Sequence, residues 1–153
     1  MPADLTADRL AELAVETLEE AAFVFAEATD PPPPFAGDVL EARLHYSGPE
    51  RGVLGLRASS GFAAGLAANM LGADCADPES DRRSADALGE MVNMLAGAVL
   101  LELFGPDSKA SIGVPSVKPV SQDSAPAGCL AHLATEEGDR LDVFLRPANG
   151  GPP

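Results

Sequence analysis

Four residues in one stretch of this chain have the types and the spacing to do chemistry: Asp86, Glu90, Asn93 and Gly97. In a helix, at about 100° per residue, they fall within an arc of roughly 60°. A carboxylate, a carboxamide and a bare backbone then stand in register on one face. A carboxylate can hold a cationic group. A carboxamide has a donor and an acceptor and can orient a water without taking its proton. Asn and Gly are both poor helix formers, and Gly97 costs up to about 1 kcal/mol relative to Ala. Either another helix of the same chain approaches closely over Gly97, with Glu90 and Asn93 as ordinary solvated polar residues, or a partner does. Met94 and Leu101 lean outward beside this face and could give a partner an apolar rim.

Other routes to chemistry have little material. The sequence has no G-x-x-x-x-G-K phosphate loop, no G-x-G-x-x-G, no G-x-S-x-G elbow and no H-E-x-x-H. Its two histidines, His45 and His132, sit in predicted strands and read as ordinary sheet residues. Cys75 and Cys129 stand far apart outside any CxxC pattern, which describes two small half-buried thiols rather than a disulfide framework or a zinc site. No metal of its own is expected. A chain without an activated nucleophile can still assist a reaction whose other parts reside on its substrate.

The elements that must position these residues follow from caps and periodicity. Thr6 can cap a helix with apolar positions Leu10, Leu13, Leu18, Ala21 and Phe25, ended by the proline run 31–34. That run reads as a stiff spacer between helix and sheet. From Leu40 the period becomes two: Leu40, Ala42, Leu44 and Tyr46 share one face, and Glu41, Arg43 and His45 the other, as in a half-buried strand. A turn over 47–52 leads to a second strand over 53–58. Ser59 or Ser60 caps a short helix over 62–71, closed by Gly72. Asp77 and Pro78 start a third helix that carries the candidate face and stops at Gly105-Pro106. Leu88, Val92, Leu95, Val99 and Leu103 form its core side. Three short strands are predicted over 110–120, 129–135 and 141–146, with a tight turn at Glu137-Gly138-Asp139 and a loose tail from Pro147. This order predicts an α+β fold, a largely antiparallel sheet with long helices packed on one face, in a single domain over 1–147 followed by a disordered tail over 148–153.

At 153 residues, 46% of them hydrophobic, the chain can bury one core. With 5% aromatic residues and no Trp, that core is built from Ala, Leu and Val. The net charge of −14 and the scattered basic residues argue against nucleic acid and against an anionic membrane surface. The N-terminus lacks signal-peptide character, and Glu102 breaks the longest apolar run, 94–104. No membrane span and a cytoplasmic location are expected.

The residues around the candidate face carry a resemblance. Asp86-x-x-x-Glu90-x-x-Asn93 lies within Ala87-Leu-Gly-Glu-Met-Val-Asn-Met-Leu-Ala-Gly97, and Pro115 follows Asn93 by twenty-two residues in Ile112-Gly-Val-Pro-Ser-Val117. This pattern resembles the signature of the CheC/CheX/FliY phosphatases, and Ala67-Ala-Asn-Met-Leu-Gly72 resembles that family's preceding helix. The resemblance covers about residues 62–120. It implies a phosphatase acting on the phospho-aspartate of a CheY-like response-regulator receiver domain, which supplies its own Mg²⁺ ion and lysine. Asn93 would hold the attacking water in line with the phosphorus. Glu90 would pair with the receiver's lysine, Gly97 and small Ala96 would let the partner approach closely, and Asp86 belongs to the same partner-binding face. The apolar rim of Met94 and Leu101 is our own reading of the helix and not part of the resemblance. The alternative is a non-catalytic module that binds a receiver or a flagellar-switch component. CheC-type members carry the motif twice. Here Val15, Glu19 and Phe23 follow Glu12, Glu16 and Glu20 by three residues, and Leu66 precedes Asn69 by three, so no second pair exists. One active face per chain is the CheX-type arrangement, which implies a homodimer joined sheet edge to sheet edge. Pro115 is expected to shape the turn into the next strand, away from any partner.

Overall fold

The computed structural model describes residues 5–72, 80–126 and 128–148. The first helix, α1, spans Ala7–Ala22, and its N-terminus is capped by Thr6, whose Oγ1 accepts the Arg9 N–H at 3.1 Å. The helix stops earlier than its apolar spacing suggests. Phe23 takes a left-handed conformation at φ 56°, and Ala26–Ala28 becomes a strand, β1, paired with residues of β6, Cys129–Thr135. Ladder bonds to that strand outweigh the helical spacing, and Phe25 is left exposed rather than in the core.

Strands β2 (Val39–Ser47) and β3 (Gly52–Ser59) form the expected hairpin. Helix α2 covers Ser60–Leu71; Ser59 Oγ accepts the Phe62 N–H at 3.2 Å, and Gly72 closes the helix at φ 67°. Helix α3 covers Ser80–Phe104. Its expected start at Asp77-Pro78 lies outside the described residues, as does Cys75. The strand expected over 110–120 is divided into β4 (Ser111–Ile112) and β5 (Ser116–Val120). β6 and β7 (Arg140–Pro147) follow, joined through Gly138 at φ 88°. Pro147 pairs with Gly52, and the Ala148 N–H donates to Arg51 O at 2.8 Å, so ladder bonds hold the chain where a loose tail was expected to begin. Residues 149–153 lie outside the described residues.

Among the described residues the sheet order is β1-β6-β7-β3-β2-β4, with β5 also on β2, and every pairing is antiparallel. The α+β architecture is as expected. Ala42, Leu44, Leu54, Leu56, Val143 and Leu133 point from one face of the sheet into a core shared with Leu10, Leu18, Leu66, Leu88 and Leu95 of the three helices. Among the described residues one helix, Arg82–Phe104, is long and apolar enough to cross a membrane by length and composition, but half of its apolar window is buried inside the fold, where it supplies the core side of α3. Glu102, which interrupts that run, accepts two hydrogen bonds from Arg9 at 3.0 and 2.9 Å and fastens α3 to α1.

The opposite sheet face is not the solvated surface its alternation suggests. Register aligns Lys118, Glu41, Arg57, Asp142 and His132 across five strands, acidic side chains alternating with basic ones; the middle three are buried, His132 is half-buried and Lys118 at the edge is exposed. Glu41 is 0% exposed and takes hydrogen bonds from Arg43 and from Arg57 Nε at 2.6 Å. Asp142 is held by His132 at 2.7 Å and Arg140 at 2.9 and 2.8 Å. Segments outside the sheet lie over this row. The Ser124 carbonyl accepts from Arg57, the Pro33 carbonyl accepts from Arg140 at 3.2 Å, and the Arg140 guanidinium lies 4.1 Å from the Phe35 ring centroid. The proline run therefore serves as a cover as well as a spacer. Burial alone would push the Glu41 carboxyl up, but the two arginines more than offset it, and the group titrates below its ordinary value.

Candidate functional site

The candidate residues sit on α3 as their spacing requires. Ala87, Leu88, Met91, Val92, Leu95 and Val99 are buried in the core and fix the rotation of the helix. Asp86, Glu90, Met94, Gly97 and Leu101 are exposed on its outer side, and Asn93 is half-buried. Glu90 and Asn93, one turn apart, stand about 5–6 Å from each other. Ala96 is buried in the core and cannot offer the small contact expected of it.

A Cβ built on Gly97 would meet nothing within 4 Å. Among the described residues no other helix approaches closely, which was one of the two explanations for this glycine, and none of them offsets its helical cost. The backbone there opens outward. Met94 at 41% and Leu101 at 56% exposure flank it with apolar surface. No hydrogen bond or ion pair among the described residues engages the Glu90 carboxylate or the Asn93 amide.

Glu90 and Asn93 border a shallow depression of about 510 Å³ lined also by Ala85, Asp86, Gly89, Pro115 and Val117. Its far wall is the start of β5. Pro115 directly precedes that strand, in keeping with its expected role in the turn, but it lines the same depression as Glu90 and Asn93 instead of standing apart from the candidate face. A Cβ on Gly89 would lie 3.6 Å from Pro115 Cβ and from Val117 Cγ2, so this edge of the sheet packs directly against α3. The strand that folds Pro115 back onto the helix could not be read from spacing alone.

Other polar residues have structural duties. Asn69 donates from Nδ2 to Ala22 O at 2.9 Å and ties α2 to the end of α1. Cys129 is half-buried, its thiol lies 3.7 Å from Leu5 O, and burial raises its pKa. His45 is exposed on β2 and His132 belongs to the charge row. Among the described residues no group of three or more His, Cys, Asp or Glu side chains could hold a metal ion. The arrangement offers one chemical capability: an amide and a carboxylate presented outward, beside bare backbone, to something that approaches α3.

Comparison with known proteins identifies the family and the fold. The family model described as chemotaxis phosphatase CheX matches residues 41–122, which contain most of β2, all of β3, β4 and β5, and the whole of α3. The chain belongs to the CheX family. Its structure is similar to that of the chemotaxis protein CheX from Vibrio vulnificus, with 19% identity, a TM-score of 0.68, and coverage of 94% of this chain and 97% of that one. It also resembles CheX in the CheX-CheY-BeF3-Mg²⁺ complex from Borrelia burgdorferi, at 14% identity, a TM-score of 0.61 and coverage of 90% and 95%. FliY from Thermotoga maritima shares the fold at 19% identity and a TM-score of 0.58, over 94% of this chain and 90% of that one. No curated protein sequence matches the chain. At these identities the structural likeness establishes the CheX fold, and the family match adds a chemotaxis phosphatase role.

Proposed function

We propose that this CheX-family chain hydrolyses the phospho-aspartate of a CheY-like receiver domain in the cytoplasm. The observation that carries the reading is the outward Glu90/Asn93 pair on a helix whose neighbouring Gly97 faces open space. In this mechanism α3 docks over the receiver's phosphorylated carboxylate, and the Asn93 carboxamide holds a water in line with the phosphorus. The water oxygen bonds to phosphorus as the bond from phosphorus to the aspartyl oxygen breaks. Inorganic phosphate and a free carboxylate result. Asn93 contributes positioning rather than proton abstraction, which suits a residue that does not titrate. Glu90 pairs with the receiver's lysine and sets the docking register. The Mg²⁺ that neutralises developing charge on the phosphoryl group belongs to the receiver.

Asp86, Met94 and Leu101 contact the receiver around the pair, and Gly97 lets it approach the helix backbone. The chain acts as a homodimer joined at sheet edges, with one such face in each copy. The test is the decay of phosphorylated receiver domains from the same cell in Mg²⁺, with and without this protein. Asn93→Ala is expected to abolish nearly all acceleration while complex formation persists, and Glu90→Ala to weaken both. A detectable complex with unchanged decay would make the chain a binding module instead.

A further inference from the structure

The edge of the sheet beside the candidate pair carries one residue more than its partner strand. Ser116 of β5 pairs with Arg43, and Ile112 of β4 pairs with Tyr46. Between these points Gly113, Val114 and Pro115 stand opposite only Leu44 and His45. An extra residue of this kind bends a strand and re-aims a side chain, a device common at sheet edges near functional sites. Here it turns Pro115 into the depression and Val114 out of it. Val114 is 91% exposed, the most exposed large hydrophobic residue in the described chain.

The segment is anchored on both sides of Val114. The Gly113 N–H donates to His45 O at 2.7 Å. Pro115 packs against Gly89 of α3 and restricts Val114 itself to extended backbone. Single exposed apolar residues are ordinary on protein surfaces. This one is held in place, and its neighbour Pro115 shares a depression with Glu90 and Asn93. Protection of an edge strand does not account for it either, because edges are blunted by charge or proline, as Lys118 and Pro119 already do on β5.

We infer that Val114 is a specificity-determining contact for the receiver, an anchored apolar knob that seats in an uncharged, apolar patch beside the receiver's phosphorylated carboxylate. The inference rests on the phosphatase reading above. Pro115 shares the depression with Glu90 and Asn93, and Val114 is bonded directly to it on the outer side, so in this inference a receiver seated on Asn93 extends over Pro115 to the rim where Val114 stands. Because the backbone is already fixed, little ordering entropy opposes this contact. It adds to ground-state and transition-state binding alike, so it is read in KM rather than in kcat.

The experiment compares the parent, Val114→Ser, Val114→Ile and Asn93→Ala in receiver dephosphorylation at varied receiver concentration, with thermal unfolding as a folding control. Val114→Ser is expected to raise KM about tenfold, the scale of losing a buried valine's apolar contact. It should lower kcat far less and leave the unfolding midpoint in place. Val114→Ile should retain the parent's KM. A parent-like KM for Val114→Ser while Asn93→Ala is inactive would overturn the inference and leave the phosphatase reading standing. So would a fall in kcat at constant KM. If Asn93→Ala accelerates decay as the parent does, the phosphatase reading fails and the role of Val114 falls with it.

Discussion

Replacing Gly97 separates what is good for the helix from what is good for the proposed function. Gly97 lies well inside α3, Ser80–Phe104, is exposed, and has no atom within 4 Å of the position its Cβ would take. Gly97→Ala therefore adds a methyl group without a clash and removes the entropic penalty of glycine in a helix interior. The expected gain is about 1 kcal/mol. For a domain of this size that raises the thermal midpoint by about 2–4 °C. Gly97→Leu should stabilise nearly as much, because leucine is also a strong helix former. In the phosphatase reading the two variants separate. A methyl group leaves the receiver close to its docked position, whereas a leucine side chain holds it off the helix. A displacement of about 1 Å at a site that works by positioning costs on the order of 100-fold in rate. Urea or thermal unfolding and the dephosphorylation rate are measured on the same preparations. A more stable, nearly inactive Gly97→Leu is the expected outcome. A stable and fully active Gly97→Leu would refute close approach at this glycine, and a destabilised Gly97→Ala would refute the reasoning from open space.

Three further outcomes are expected. Glu41→Gln should destabilise the fold by about 3–5 kcal/mol in denaturant unfolding, because it leaves the buried Arg57 without its counter-charge; a loss below 1 kcal/mol would mean that the charge row contributes little. Because the folded state lowers the Glu41 pKa, its contribution is present above the ordinary carboxylate pKa and is lost as pH falls through the lower folded value. Acid titration of Glu41→Gln should therefore show a shallower loss of stability than the parent. Gly55→Ala places a Cβ 2.1 Å from Phe144 Cζ and should cost about 1–3 kcal/mol, largely restored by the second substitution Phe144→Leu in thermal unfolding.

Local rules written in the sequence determined most of the elements and which residues of α3 face outward, while the choice of Glu90 and Asn93 among them came from the family resemblance. Thr6, Ser59 and Gly72 cap their helices as their types dictate, and the rotation of α3 follows from the apolar side Leu88, Val92, Leu95 and Val99. That rotation is why Asp86, Glu90, Asn93 and Gly97 face outward together: a side chain's direction on a helix is fixed by its distance along the chain from the core residues. Tertiary pairing decided the rest. Phe23 ends α1 because Ala26–Ala28 joins β6, a partner more than 100 residues away in sequence. Glu41 reads as a solvated alternate on a strand, yet cross-strand register sets it against Arg57 and the segment through Ser124 contributes to the cover over the row. The second wall of the site, Pro115 with Val114 beside it, depends on a mismatch of one residue between β2 and the β4–β5 edge. Periodicity within one strand cannot register a count that exists only between two.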